Sequence, residues 1–408
     1  MSGYHTAAIV TIGTELVRGL AVDTNTSEIA HALLGAGIDV AETVSVADDM
    51  ELLTAVLRRS VASCDLVIVT GGLGPTHDDI TREAAAAALG VVQHRDPDLV
   101  DGLRASAARH TDPRAVENVF RQADVLEGSV VLPAIRGTAP GLVVPTARGS
   151  LVLLPGPPRE MRPLLEGLIA EWGIAAAPPR VLRCTGLSES DVQMAAQDVL
   201  EADPGVELTV LAQPGDVRVV LFDRGAGGPR LDELASAIAS RIGDACYSAD
   251  GSSLAEVVLA RAAAAGVTLA TAESCTGGLV GGALTAVPGS SASYLGGVVS
   301  YADEVKVTLL AVDPALIEAC GAVSDAVARA MALGACDMIG ADYAVSVTGV
   351  AGPDGGSAEK PTGTVWFGVA GPDGVDAQMR RFPGDRETVR TRAVATALDL
   401  LRRRLLNA

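Results

Sequence analysis

Short β-type runs alternate with helical stretches along most of this 408-residue chain, and that order admits few folds. Up to about residue 175, Ala7–Ile12, Asp39–Val46, Leu66–Thr70 and Leu151–Leu154 read as strands. Between or after them, Thr26–Leu34, Glu51–Ala62, Ile80–Leu89 and Arg159–Trp172 carry helical apolar spacing. Such alternation predicts an α/β fold, a mainly parallel sheet with helices on both faces. Ser129–Pro145, rich in Val, Gly and Pro, predicts an added antiparallel hairpin.

The pattern divides the chain into three expected domains, 1–175, 176–250 and 251–408. Ala175-Ala-Ala-Pro-Pro-Arg180 reads as a linker, because Pro178 and Pro179 stop the preceding helix. Beyond it, Arg180–Thr185, Glu207–Leu211 and Val217–Phe222 read as strands and Ser190–Leu200 and Leu231–Ile242 as helices, a small βαββα unit read as a spacer. After Gly251 the alternation restarts with a helix at Ser253–Ala264, a strand at Val267–Thr271 and a helix at Gly277–Ala286. Strands follow near Leu295–Ser300 and Ala344–Val347. A hairpin turns at Gly371-Pro-Asp-Gly374, and a closing helix runs from about Arg386 to Leu405.

Composition narrows the function classes. Apolar residues make up 49%, charged residues 20% and aromatics 3%, so Ala, Val, Leu and Ile must build the interior and neither disorder nor a coiled coil describes the chain. A net charge of −19 argues against a general nucleic-acid or acidic-membrane binder, which presents dense Lys and Arg to phosphate. No signal-peptide core or membrane span is legible, so the expected address is the cytoplasm. The six cysteines are scattered without a CxxC, as in a reducing compartment, and all five histidines precede residue 111 without zinc-ligand spacing. Any metal is therefore expected on carboxylates.

Three loops follow three expected strand ends in the first third. They are Thr11-Ile-Gly-Thr-Glu-Leu16 with Asp23-Thr-Asn25, Thr70-Gly-Gly-Leu-Gly-Pro-Thr-His-Asp-Asp79, and Leu154-Pro-Gly-Pro-Pro-Arg-Glu160. In a parallel sheet such loops converge on one crevice. Gly71, Gly72 and Gly74 let backbone N–H groups approach an anion, with a helix N-terminus behind them. Gly13, Thr14, Asp23, Asn25, Thr70, Thr76, Gly156 and Pro157 complete the candidate nucleotide- and phosphate-binding set. Asp78 and Asp79, with Glu15 as a third ligand or general base, are candidates for a hard divalent cation that bridges phosphoryl oxygens. The alternative reading is that Asp78 and Asp79 only cap the following helix.

A second constellation lies in the last third. Ala272-Glu-Ser-Cys-Thr-Gly-Gly278 links an apolar strand to a helix, which presents Ser274 at the sheet edge and makes the N–H groups of Thr276, Gly277 and Gly278 candidate oxyanion donors. No histidine follows residue 110, so the base must be another group. Ser300-Tyr-Ala-Asp-Glu-Val-Lys306 supplies Tyr301 and Lys306, and a desolvated lysine can activate a serine. Ser346-Val-Thr-Gly-Val-Ala-Gly-Pro353 adds Thr348 and Gly349 at another strand end. Cys275 is the competing nucleophile, as a thiol at a helix N-terminus; the Ser/Tyr/Lys set favours Ser274.

With these residues assembled, the chain resembles the CinA (competence/damage-inducible protein A) family over essentially its whole length. The first-third motifs carry the resemblance together with Gly137-Thr-Ala-Pro-Gly141 and Pro155-Gly-Pro-Pro-Arg-Glu-Met161. In the last third it rests on Ala272–Gly278, Pro288-Gly-Ser-Ser291, Val299–Lys306, Thr348–Pro353, Pro361-Thr-Gly-Thr-Val365 and Phe382-Pro-Gly-Asp-Arg386. The resemblance implies an N-terminal molybdopterin-binding-like domain with metal-dependent ADP-ribose pyrophosphatase activity, the metal being Mg, Mn or Co. It implies a C-terminal nicotinamide mononucleotide deamidase that needs no cofactor, with Ser274 as nucleophile and Tyr301 and Lys306 assisting proton transfer. Ser291, Thr348 and Arg386 would shape its nucleotide site, and a guanidinium at Arg386 suits phosphate. The implied partners are small-molecule nucleotides and a second copy of the chain in a homodimer, with neither nucleic acid nor membrane.

Overall fold

The computed structural model describes residues 3–172, 179–200, 205–223 and 228–407. Contacts divide the chain into two compact units, Met1–Pro178 and Pro179–Ala408. Most of the expected linker lies outside the described residues.

The first unit is built on a six-stranded sheet in the order Asp39–Val46, Thr6–Ile12, Leu66–Thr70, Ser150–Leu154, Gly141–Pro145, Val130–Leu132. The first four strands are parallel, and the last two form the antiparallel extension expected from Ser129–Pro145. Because successive strand residues point to opposite faces, the apolar runs feed two cores. Ala7, Ile9, Ile68 and Val152 pack against Ile29 and Leu33 of the helix Asn25–Gly35 and Met161 and Leu165 of Pro158–Trp172. Ala8, Val10, Val69 and Leu153 pack on the other side against Leu53 and Leu57 of Met50–Ser63 and Ala84 and Ala85 of Thr81–Leu89. Among the helices absent from the sequence reading, Pro97–Ala107 and Pro113–Phe120 begin at Asp96 and Asp112, whose carboxylates accept the first free N–H groups.

The second unit holds two sheets. The smaller is antiparallel throughout, ordered Val206–Gln213, Asp216–Asp223, Arg180–Cys184, Cys246–Ser248, so the expected βαββα pattern gains a fourth strand. The larger is ordered Tyr294–Val299, Leu269–Glu273, Tyr343–Gly349, Thr364–Gly371, Gly374–Arg381, the first three strands parallel and the hairpin antiparallel. The helices Leu254–Ala265, Leu279–Thr285 and Arg386–Arg404 cover one face through Val258, Val280, Leu284, Val389 and Ala393. The helices Asp303–Leu310 and Asp325–Ile339 cover the other through Leu310, Val327, Met331 and Ala335. The expected mainly parallel α/β architecture is thus the observed one. No helix among the described residues is long and apolar enough to cross a membrane.

With aromatics scarce, close packing relies on small residues. Gly334, inside Asp325–Ile339, lies so near the end of Asp303–Leu310 that an added Cβ would land on the Leu310 carbonyl oxygen, whereas the same addition at Gly282 of Leu279–Thr285 meets nothing within 4 Å. Alanine improves helix propensity by roughly 1 kcal/mol over glycine, so the two sites should respond with opposite sign. We predict that Gly282→Ala stabilises by about 0.5–1 kcal/mol, while Gly334→Ala destabilises by about 1–3 kcal/mol through overpacking, both read from urea unfolding of the full chain.

Candidate functional site

In the first unit, Ile12, Thr70 and Leu154 end three adjacent parallel strands, and the loops after them enclose a crevice of about 490 Å³. Gly71 makes this closeness possible: its φ is +106°, and a Cβ there would sit 2.6 Å from the Ile12 carbonyl oxygen. Gly13, Glu15, Gly71, Gly72, Gly74, Thr76, Asp78, Asp79, Gly156 and Pro157 all line the crevice, as do Asp48, Gln122, Thr138 and Glu160, which the reading of candidate residues left out.

Four of the expected residues build the crevice wall from behind. The Thr14 N–H and hydroxyl both donate to Asp48 Oδ2, each at 2.8 Å, which fixes that carboxylate at the lip. Asn25 Nδ2 donates to Thr70 Oγ1 (3.0 Å) and to the Gly156 carbonyl (2.7 Å), and Thr70 Oγ1 donates to the Pro155 carbonyl (2.9 Å), so this pair ties two of the loops together. Asp23 accepts from the Thr26 N–H and hydroxyl at the start of Asn25–Gly35. Partial burial would raise its pKa, but those hydrogen bonds outweigh it and hold the carboxyl below the usual carboxylate range.

The crevice lining is acidic: among the described residues its charged members are Glu15, Asp48, Asp78, Asp79 and Glu160. Basic groups stand around it, with Arg121 donating to the Thr76 (3.3 Å) and Asp79 (3.2 Å) carbonyls, His77 3.9 Å from Asp78 and Arg159 3.8 Å from Glu160. Asp79 is engaged by its own loop: Oδ1 accepts from Gly74 N–H at 2.7 Å, and Oδ2 accepts from Thr76 N–H at 2.7 Å and Thr76 Oγ1 at 2.5 Å. Asp78 is held below the usual carboxylate range chiefly by the Thr76 hydroxyl. Among the described residues no three His, Cys, Asp or Glu side chains form a group that could hold a metal ion. The donor set therefore does not make a protein-only cage. It suits a hard cation that takes one or two carboxylates and completes its shell with phosphate oxygens and water.

In the second unit, Ser274 follows the central strand Leu269–Glu273, and its N–H donates to the Val347 carbonyl at 2.9 Å. Ser300 N–H donates to the Glu273 carbonyl at 2.7 Å, so Ser300 and Thr348 stand level with Ser274 on the two neighbouring strands. The turn is shaped by the Glu273 carboxylate, which is 1% exposed and accepts from Gly278 and Val280 N–H (both 3.0 Å) and Gly281 N–H (2.8 Å). This takes up the Gly278 N–H, and Gly277 N–H donates to Ser274 O at 3.1 Å. Of the three expected oxyanion donors, only the Thr276 N–H is left without an acceptor among the described residues.

Lys306 is 1% exposed, not a solvated helix residue; its ammonium donates to Asp303 Oδ1 (3.1 Å) and the Tyr301 carbonyl (3.3 Å). Tyr301 is exposed, and Arg386 bridges it to another loop, donating to the Tyr301 hydroxyl (3.2 Å) and the Gly352 carbonyl (2.9 Å). Thr348 is buried and its hydroxyl donates to the Ala322 carbonyl at 2.8 Å. Gly349 ends its strand against Thr364 and Val365, and Ser291 is exposed on the short turn before Tyr294–Val299. Arg390, one helical turn after Arg386, holds the nucleophile turn from outside by donating to the Cys275 (3.1 Å) and Thr276 (2.9 Å) carbonyls. Nothing in the local sequence marked Arg390 except its i+4 spacing from Arg386. The hydroxyls of Thr276 and Ser300 are buried and have no hydrogen-bond partner among the described residues, which places two unsatisfied polar groups beside Ser274. Burial pushes the Cys275 thiol up to about 11, so it is not a thiolate at neutral pH.

The "CinA C-terminal domain" family model matches residues 251–405, and the "Probable molybdopterin binding domain" model matches residues 8–172. A CinA-like protein of Parasynechococcus marenigrum is 41% identical over 98% of this chain and 98% of its own, and one of Acidobacterium capsulatum is 39% identical over 98% and 100%. A crystal structure of the competence/damage inducible protein CihA from Agrobacterium tumefaciens is similar at 43% identity, over 36% of this chain and 91% of that one, with a TM-score of 0.36.

Two outcomes follow from this geometry. Glu273→Gln exchanges an acceptor for a donor facing backbone N–H groups and should destabilise by about 1–3 kcal/mol, with faster amide exchange at Gly278, Val280 and Gly281. Iodoacetamide at neutral pH should label the exposed Cys320 and leave Cys275 intact on peptide mapping.

Proposed function

The chain belongs to the CinA family, and from that premise we propose that it is a pyridine-nucleotide salvage hydrolase with an amidase site around Ser274. The observation that supports this reading is a strand-end serine flanked by the buried hydroxyls of Thr276 and Ser300, which have no partner among the described residues, with the buried Lys306 in the loop and helix that Ser300 leads into. In the reaction, Ser274 Oγ attacks the carboxamide carbon of nicotinamide mononucleotide. Lys306, with Tyr301, moves the serine proton to the departing nitrogen, and ammonia leaves. Water then releases nicotinate mononucleotide and restores the serine. The Thr276 N–H supplies an oxyanion donor, and Arg386 meets the phosphate at the rim. No cofactor enters this chemistry. Ser291, Thr348 and Gly349 shape the nucleotide pocket.

For the first unit we propose metal-dependent hydrolysis of ADP-ribose or a related pyrophosphate. A crevice lined by five carboxylates disfavours a bare pyrophosphate, and a divalent ion would supply charge neutralisation there. Glu15 and Asp78 are the carboxylates that would hold it, Asp79 being the brace of the glycine loop. That commitment of Asp79 favours a second reading of this unit as a nucleotide- or pterin-binding regulatory module. The setting that goes with the proposal is the cytoplasm, with the chain as a homodimer.

One assay separates these readings: incubate the protein with nicotinamide mononucleotide and with ADP-ribose, with Mg²⁺, Mn²⁺, Co²⁺ or EDTA, and measure ammonia and AMP. Ser274→Ala should abolish ammonia release and leave AMP release unchanged, while Glu15→Gln with Asp78→Asn should do the reverse. Ammonia from Ser274→Ala would refute the amidase site. Nucleotide binding in EDTA with no AMP under any metal would establish the regulatory reading.

A further inference from the structure

Four of the six cysteines sit apart, but two face each other. Arg180–Cys184 and Cys246–Ser248 are antiparallel neighbours in the small sheet, and their register sets Cys246 directly opposite Cys184. One step along, Thr185 N–H donates to the Ala245 carbonyl at 2.9 Å. Cys184 and Cys246 therefore occupy the adjoining non-hydrogen-bonded position, where Cα atoms of opposed residues lie about 4.5 Å apart and their side chains are nearest. A disulfide accepts Cα separations of about 4.4–6.8 Å. Both residues are free thiols.

From this juxtaposition we propose that Cys184 and Cys246 form a reversible disulfide site, closed by small-molecule disulfides and reopened by dithiols. The two thiols are unequal. Cys184 is fully buried and Cys246 is half-buried, so a reagent reaches Cys246 first. The facing Cys184 thiol favours the ionised form of Cys246 and holds it below its ordinary pKa, while the same pairing together with burial pushes Cys184 up; as a thiol, Cys246 donates to the Ser248 carbonyl at 3.5 Å. Cys246 is the attacking thiolate and Cys184 the resolving thiol.

The exchange balances with one disulfide RSSR. Cys246 S⁻ attacks one sulfur of RSSR, giving a Cys246–S–S–R mixed disulfide and RS⁻. Cys184 then gives its proton to RS⁻ and attacks the Cys246 sulfur, closing the intramolecular bond and expelling the second RS⁻, which solvent protonates. Two protein thiols are oxidised and one RSSR is reduced to two RSH. In a reducing compartment such a bond is transient and responds to redox poise.

Its place gives it a structural consequence. Two residues before Cys246, the Asp244 carbonyl accepts from the buried Arg402 guanidinium at 2.8 Å, and Tyr247 packs in the core that holds Val258 and Leu401. The strand Cys246–Ser248 is thus anchored in the last third of the chain while it edges the small sheet. A disulfide there clamps that edge.

The test uses the full chain carrying Cys320→Ser, which removes the exposed thiol, incubated with oxidised glutathione and mapped by mass spectrometry. The expected result is a cross-linked peptide joining Cys184 and Cys246, with a loss of two free thiols per chain that dithiothreitol reverses. The melting temperature should rise on oxidation in this protein and stay unchanged when Cys246→Ser is added. A lasting glutathione adduct on Cys246 without the cross-link, or no reaction at either thiol, would overturn the proposal.

Discussion

A carboxylate taken out of water costs several kcal/mol unless hydrogen bonds replace its hydration. Glu273 receives three, all from the backbone of the turn that follows it. The arrangement works in both directions, since the first N–H groups of a helix have no partner of their own and an acidic group there meets the positive end of the dipole. Strand, turn and helix are locked around one buried charge. Ser274 lies between the carboxylate and the groups it holds, so its position is set by backbone on both sides.

The first unit also braces a glycine-rich turn with a carboxylate, here half-buried and with the order reversed. Asp79 comes at the end of its glycine loop and folds back onto Gly74 and Thr76, where Glu273 comes at the start of its turn and reaches forward. In both places a conspicuous acidic residue turns out to organise backbone, and the chemistry falls to its neighbours. This explains why motif residues and site-lining residues overlap incompletely. Asn25 and Thr70 are motif residues that stitch loops, while Asp48 and Arg390 shape the two sites from outside the motifs.

Much of this was legible from residue order. The parallel strands appeared because β-branched apolar runs of five to eight residues are bounded by Gly, Pro and polar clusters, and the strand-end loops followed from the parallel topology. Other features were missed, among them the helices Pro314–Cys320 and Asp325–Ile339, and for three of the misses the physical reason is plain. Pro97–Ala107 and Pro113–Phe120 are short helices that bury their apolar stripes on each other, through Leu99, Leu103, Val116 and Val119, rather than on a strand of the main sheet, although Asp-Pro at each start was a usable cap signal. The pairing of Cys246 with Cys184 depends on a fourth strand of only three residues, too short for any period to show. The burial of Lys306 depends on which face of Asp303–Leu310 turns inward, and that is decided by the packing of Asp325–Ile339 upon it.

The carboxylates that line the crevice of the first unit also set how a ligand arrives. A chain of net charge −19 with five carboxylates around one opening repels a bare nucleotide at a distance. Dissolved salt shortens the reach of that repulsion, to about 8 Å at physiological ionic strength. For a metal-free anionic ligand, added monovalent salt therefore quickens the encounter, the reverse of the salt response of a protein that gathers phosphates on lysine and arginine.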